Sequence, residues 1–180
     1  MFHLLRPLGV ALVATIGDFV WFEYGVSHTT LHGVLHGAAL LLAVGLAIGH
    51  AGHVAGRPGA LWKGALGGIL AGIAGALAFY AVIRPLGYLG ALIAAWAFTW
   101  LVMSMVAAWT RGASPLSSSW LVRGLLAALL SGITFYLVSG IWTEHAPEGG
   151  RNYVWHLIAW TIAWAPGMGA LTLADDEMAR

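Results

Sequence analysis

Long apolar runs separated by short polar stretches set the pattern of this chain. Six runs, residues 4–21, 28–49, 61–83, 86–109, 120–142 and 153–173, approach or exceed the roughly 20 residues that a helix needs to cross a bilayer core. They predict an all-α, polytopic integral membrane bundle of six transmembrane helices forming a single domain over residues 1–180. The polar breaks are HAGHVAGRPG after the second run, Arg84-Pro85 after the third, TRGASPLSSS after the fourth and the acidic ADDEMAR after the last. A connection as short as 84–87 requires the third and fourth helices to form an antiparallel hairpin. Pro166 lies inside the sixth run, where it is expected to kink the helix or end its regular part early.

The ends of the first, third and fifth runs read DFVWFEYGVSH, AFYAVIRPLGY and TFYLVSGIWTEH. An aromatic pair before each turn raises the prospect of three hairpin repeats, although any membrane interface attracts such rings. Lysine and arginine set the orientation. With six crossings, Arg6, Arg57, Lys63, Arg111, Arg123 and Arg180 fall on the side of the termini, and Arg84 and Arg151 on the other. The bias predicts cytoplasmic termini in a bacterial-type inner or plasma membrane. Lys63 and Arg123, near helix starts, are expected to snorkel to headgroups. The first run resembles a signal peptide, with Arg6 before an apolar core. No small-x-small cleavage site follows it, and a retained first helix is expected.

Composition agrees with this pattern. Of 180 residues 60% are hydrophobic and only 8% charged, against about 25% charged in soluble domains, and mean hydropathy is +0.84. The expected partner is therefore the lipid bilayer, with other membrane subunits or further copies of the chain as candidates. A net charge of +1 provides no basic face for nucleic acid. The absence of cysteine excludes disulfides, thiolate metal sites, iron–sulfur clusters and covalently attached haem.

Candidate chemistry centres on the stretch from Asp18 to His36. Asp18 and Glu23 are followed by His28, His32 and His36, spaced i, i+4, i+8 and so stacked on one helical face. Ionisable groups running into a membrane helix are costly and mark function. At ~1.5 Å rise per residue, Asp18, His32 and His156 are expected at one depth and His36 about one turn deeper. Glu23, His28, Glu144 and His145 are expected above them, at a mouth. Imidazole and carboxylate without thiolate suit Zn, Fe, Cu, Ni or Mn, giving Asp18, Glu23, His28, His32, His36, His145 and His156 as candidate metal ligands. His50 and His53 lie ~21 Å from His36 at helical rise and cannot share its ion.

An alternative is haem b held by His156 with His32 or His36, where Gly33 and Gly37 would admit a flat macrocycle. A magnesium-centred chlorin needs only one of these histidines. The pairs Trp96/Trp100 and Trp160/Trp164 are each spaced i, i+4 and are candidates for lining a quinone, carotenoid or lipid pocket. HExxH, GxSxG, P-loop and dinucleotide-binding motifs are absent, so no enzyme mechanism is indicated.

Over one helix, GVSHTTLHGVLHGAALLLAVGLAIG resembles the nickel permeases through Ala43-Val44-Gly45-Leu46. Those proteins also carry a His-Pro and an Asp-His, whereas His28 here precedes threonine and His36 follows leucine. No family is assigned on this likeness. The leading expectation is a small membrane metalloprotein that transports a divalent ion or holds a metal within a larger complex. The alternatives are a haem b electron-transfer subunit and a cofactor-free scaffold.

Overall fold

The computed structural model describes residues 2–24, 29–138 and 152–172, which form helices and no strand. The helices are α1 (Phe2–Glu23), α2 (Thr30–Val54), α3 (Ala60–Thr110), α4 (Ser118–Val138) and α5 (Tyr153–Thr172). Three of them, α2, α3 and α4, are long and apolar enough to cross a membrane. Large apolar side chains such as Leu35, Leu70, Leu129 and Ile133 are exposed on the outside of the bundle. Such a surface belongs in lipid, which has no water to penalise it.

The tightest packing joins α2 to the first half of α3. Gly37, Leu41, Gly45 and Gly49 recur every four residues on α2, and Gly64, Gly68 and Gly72 do the same on α3. Small residues at this spacing form a smooth stripe along one face and let two backbones touch. Gly64 lies against the Gly45 carbonyl, Gly68 against the Leu41 carbonyl and Gly72 against the Gly37 carbonyl, and a Cβ at any of the three would overlap backbone.

The 51-residue α3 is broken at Gly87, whose φ of 69° and ψ of 175° are non-helical. A positive φ of this kind is readily available only to glycine. The chain therefore turns at Gly87. Arg84-Pro85, where the apolar pattern places the stop, remains in the helical segment before it. The two arms lie side by side in opposite directions. Trp62 meets Trp109 at 5.3 Å between ring centroids and Phe79 meets Tyr88 at 5.7 Å. Between these ends, Gly67 faces Val106 and Gly75 faces Thr99. This is the expected antiparallel hairpin.

The remaining helices close the bundle around Trp100, Met103, Trp164, Met168 and Leu171. Pro166 lies within α5, which continues to Thr172. The Ser131 hydroxyl of α4 donates to the Ala163 carbonyl at 2.8 Å and accepts from the Gly167 amide at 3.1 Å. In an unbroken helix those two backbone groups would bond to each other. The serine thus satisfies the backbone beside the proline and ties α4 to α5. At the far end Arg111, only 7% exposed, donates to the carbonyls of Ala107 and Leu171. Positive charge at the C-terminal ends of α3 and α5 also complements their dipoles. Arg111 and Arg123 both lie over the Trp120 ring and Lys63 over Trp109, so the two residues expected to snorkel use indoles as their platforms.

The second helix runs past its expected end at Gly49 to Val54 and includes His50 and His53. The expected fifth helix reaches Val138 among the described residues, and the rest of its range lies outside them. Gly68→Ala is expected to destabilise the protein by about 1–3 kcal/mol, because the new methyl forces backbones apart. Gly9→Ala, where a Cβ meets nothing within 4 Å, should be neutral or slightly stabilising. Thermal denaturation of the two variants in detergent measures the difference.

Candidate functional site

Helices α1 and α5 run antiparallel, so the end of α1 meets the start of α5. This follows from residue type and spacing on both sides. On α5, Tyr153, His156 and Trp160 are spaced i, i+3, i+7 and share one face. On α1, Glu23 and Asp18 lie at successive depths. The Tyr153 hydroxyl donates to Glu23 Oε1 at 2.7 Å, and the Tyr153 ring meets Phe19 edge-on at 5.2 Å. One level deeper, Asp18 Oδ2 accepts from Trp160 Nε1 at 2.9 Å and lies 3.3 Å from His156 Nδ1.

The Asp18 side chain is 21% exposed and that of His156 only 2%. A carboxylate so placed needs partners, since charge in apolar surroundings is costly. The indole N–H supplies a hydrogen bond, and the imidazole lies within ion-pair distance of the same oxygen. An imidazole with Nδ1 turned toward a carboxylate directs Nε2 the opposite way, which is the arrangement that orients histidine ligands in metal sites.

His36 reaches this region from α2. Its ring lies directly over Gly17, so close that a Cβ there would overlap it. Three helices thus contribute Asp18, His156 and His36 to one part of the fold, with Gly17 as the seat for the third. His32 is placed differently. It lies in the first turn of α2, where the Thr29 hydroxyl caps the helix by accepting from the His32 amide at 3.3 Å. The same hydroxyl is 2.8 Å from His32 Nδ1. Of the expected trio of Asp18, His32 and His156, the first and last meet, and it is His36 rather than His32 that packs on α1. Glu23 is exposed and bonded to Tyr153. His28 and His145 lie outside the described residues. Among the described residues no three histidine, aspartate or glutamate side chains converge as a ready metal-binding group.

The two tryptophan pairs come together. Trp164 lies 5.1 Å from Trp96, 5.4 Å from Trp100 and 6.2 Å from Trp160 between ring centroids. Phe135 joins them, 5.4 Å from Trp96 and 5.2 Å from Trp160. Trp96 and Trp164 border a cavity of about 240 Å³ that His36 also lines, whereas Trp100 and Trp160 are not part of its wall. Sequence reasoning missed Trp160 as the donor to Asp18, Tyr153 as the partner of Glu23 and Gly17 as the seat of His36. The shared face of Tyr153, His156 and Trp160 was the available signal for the first two.

Trp160→Phe removes the donor to a largely buried carboxylate and is expected to cost about 1.5–3 kcal/mol. In an Asp18→Asn background the same change should cost clearly less. Denaturation of the two single variants and the double variant gives the coupling. No family model, curated protein or solved structure matches the chain.

Proposed function

We propose that this protein crosses the membrane six times, with both termini cytoplasmic, and binds a divalent transition-metal ion in the outer half of the bilayer. The six crossings are α1, α2, the two arms of α3, α4 and α5. The arms hold about 27 and 23 residues on either side of Gly87, each long enough to span. Under the arginine and lysine bias the Glu23–Tyr153 end faces outward.

The metal reading rests on the meeting of Asp18 and His156 across two helices, 3.3 Å apart, with His36 seated on the adjoining Gly17. Carboxylate and imidazole together suit zinc, iron, copper, nickel or manganese. Trp160 donates to the same Asp18 oxygen that faces His156 and so helps to fix the carboxylate in place. The ion would take two or three donors from the protein and complete its shell with water or a transported counter-ligand, an open arrangement that suits passage or loading. Glu23, exposed at the same end, adds negative charge at the entrance.

A second reading has its own support. Because no three donors converge among the described residues, the Asp18–His156–Trp160 set also fits a cofactor-free tie between α1 and α5 in a scaffold. The haem b alternative draws less support. The cavity beside His36, about 240 Å³, is smaller than the ~300–1,000 Å³ typical of pockets that take a whole organic ligand.

Elemental analysis of protein purified from its own membrane decides between these readings. One metal per chain is expected, falling at least several-fold in His156→Ala and Asp18→Ala and unchanged in His53→Ala. Metal-free wild-type protein, or full metal content in both site variants, leaves the structural tie. A Soret band in the same sample would establish haem instead.

A further inference from the structure

A groove at the basic end of the bundle plays no part in the metal reading, and the inference drawn from it does not rest on that reading. It holds about 530 Å³ between the start of α4 and the end of α5, and its wall is formed by Ser118, Ser119, Val122, Arg123, Leu126 and Ala170. The chemistry of this wall changes along α4. Ser118 and Ser119 are exposed in the first turn, with Ser119 Oγ 2.8 Å from Ser117 Oγ. Arg123 follows one turn on. Val122 and Leu126, 54% and 47% exposed, carry the wall down the helix. The groove is therefore polar and cationic at one end and apolar below it.

The two arginines at this end of the bundle differ. Arg111 is buried, and its guanidinium donates to the Ala107 and Leu171 carbonyls and to the Thr110 hydroxyl. Arg123 is only partly buried. It lies over the Trp120 ring, 5.2 Å from the centroid. Its one hydrogen bond among the described residues is a long contact, 3.5 Å from Nη1 to the Ala170 carbonyl. A guanidinium has five N–H donors, so most of its capacity is left for something outside the fold. No carboxylate among the described residues answers its charge. Asp18 and Glu23, the only carboxylate side chains described, meet α5 at its opposite end, beside His156, Trp160 and Tyr153.

We infer that this groove binds one anionic phospholipid, with its phosphate on the Arg123 guanidinium and the serine hydroxyls and an acyl chain along Val122 and Leu126. Guanidinium–phosphate hydrogen bonds are charge-assisted and two-pronged, and stacking on Trp120 holds the planar fork in place. Basic pockets between membrane helices take anionic head groups for this reason. The apolar lower wall selects a lipid over free phosphate, which would leave that wall uncovered. A zwitterionic lipid brings a second, positive group to a site that offers it no described carboxylate, and so binds less well.

Native mass spectrometry of the full chain in detergent, titrated with phosphatidylglycerol or phosphatidylcholine of the same acyl chains, tests this. The first phosphatidylglycerol should bind about fivefold more tightly than phosphatidylcholine, the advantage expected from one arginine near a charged head group. Arg123→Gln should abolish the preference. Arg57→Gln, which removes an exposed charge at the same end, should keep it. Val122→Trp leaves the charge and obstructs the apolar wall, and should weaken phosphatidylglycerol binding severalfold. Excess inorganic phosphate should not displace the lipid. Thermal melting verifies that each variant is folded, and Val122→Trp carries the test if Arg123→Gln is not. Equal affinity for the two lipids, an unchanged preference in folded Arg123→Gln, the same loss in Arg57→Gln, wild-type affinity in folded Val122→Trp or displacement by phosphate would each overturn the proposal. So would a preference that appears only when Asp175→Asn, Asp176→Asn and Glu177→Gln are combined, which would assign Arg123 to the acidic tail. None of these outcomes depends on metal content.

Discussion

Contact between the backbones of α2 and α3 is the constraint on which the rest of this fold depends. Where Gly45 meets Gly64 and Gly37 meets Gly72, no side chain separates the helices, so their spacing and register are fixed by main-chain atoms. In lipid, where apolar side chains gain little by leaving their surroundings, such close packing is a main source of helix association. α1 then packs on α2 with the His36 ring over Gly17. The cavity beside His36 forms along the α2–α3 interface, where Gly37, Gly72 and Gly75 are followed toward the Gly87 turn by Ala76, Phe79 and Tyr80.

A second principle governs the polar groups. In so apolar a protein each must be satisfied by another element, and those pairings join the helices. Ser131 serves the backbone beside Pro166, Arg111 gathers carbonyls from α3 and α5, and Asp18 takes the Trp160 indole and faces His156. Loss of one partner leaves another polar group exposed to an apolar interior, so these sites are expected to matter for stability as well as function. The indoles of Trp96, Trp100 and Trp164 depart from this rule, since their buried N–H groups have no hydrogen-bond partner among the described residues.

The apolar runs and their polar breaks carried the helices and the antiparallel hairpin of α3, because both follow from length and local chain geometry. The position of its turn was harder to read. Pro85 tolerates the end of a helix, and the positive φ falls to Gly87 two residues later. The histidine ladder was visible as a ladder, but its division was not. His32 is held by the cap residue Thr29, while His36 meets α1. That division depends on which helices are neighbours and on their rotation, and a single sequence specifies neither. Gly17 looked like one glycine among 25, although its lack of a side chain is what admits the His36 ring. Trp160 was read by its apolar ring, and its N–H proved to be the part that binds Asp18.

The most direct measurement is cysteine cross-linking in native membranes, which the absence of natural cysteine makes clean. Asp18→Cys with His156→Cys should be bridged readily by a short bifunctional thiol reagent, since the two native side chains meet at their ends. Ile16→Cys with His156→Cys should not, because Ile16 is 53% exposed on another face of α1. Failure of the first pair to cross-link, or equal cross-linking of both, would contradict the placement of Asp18 against His156.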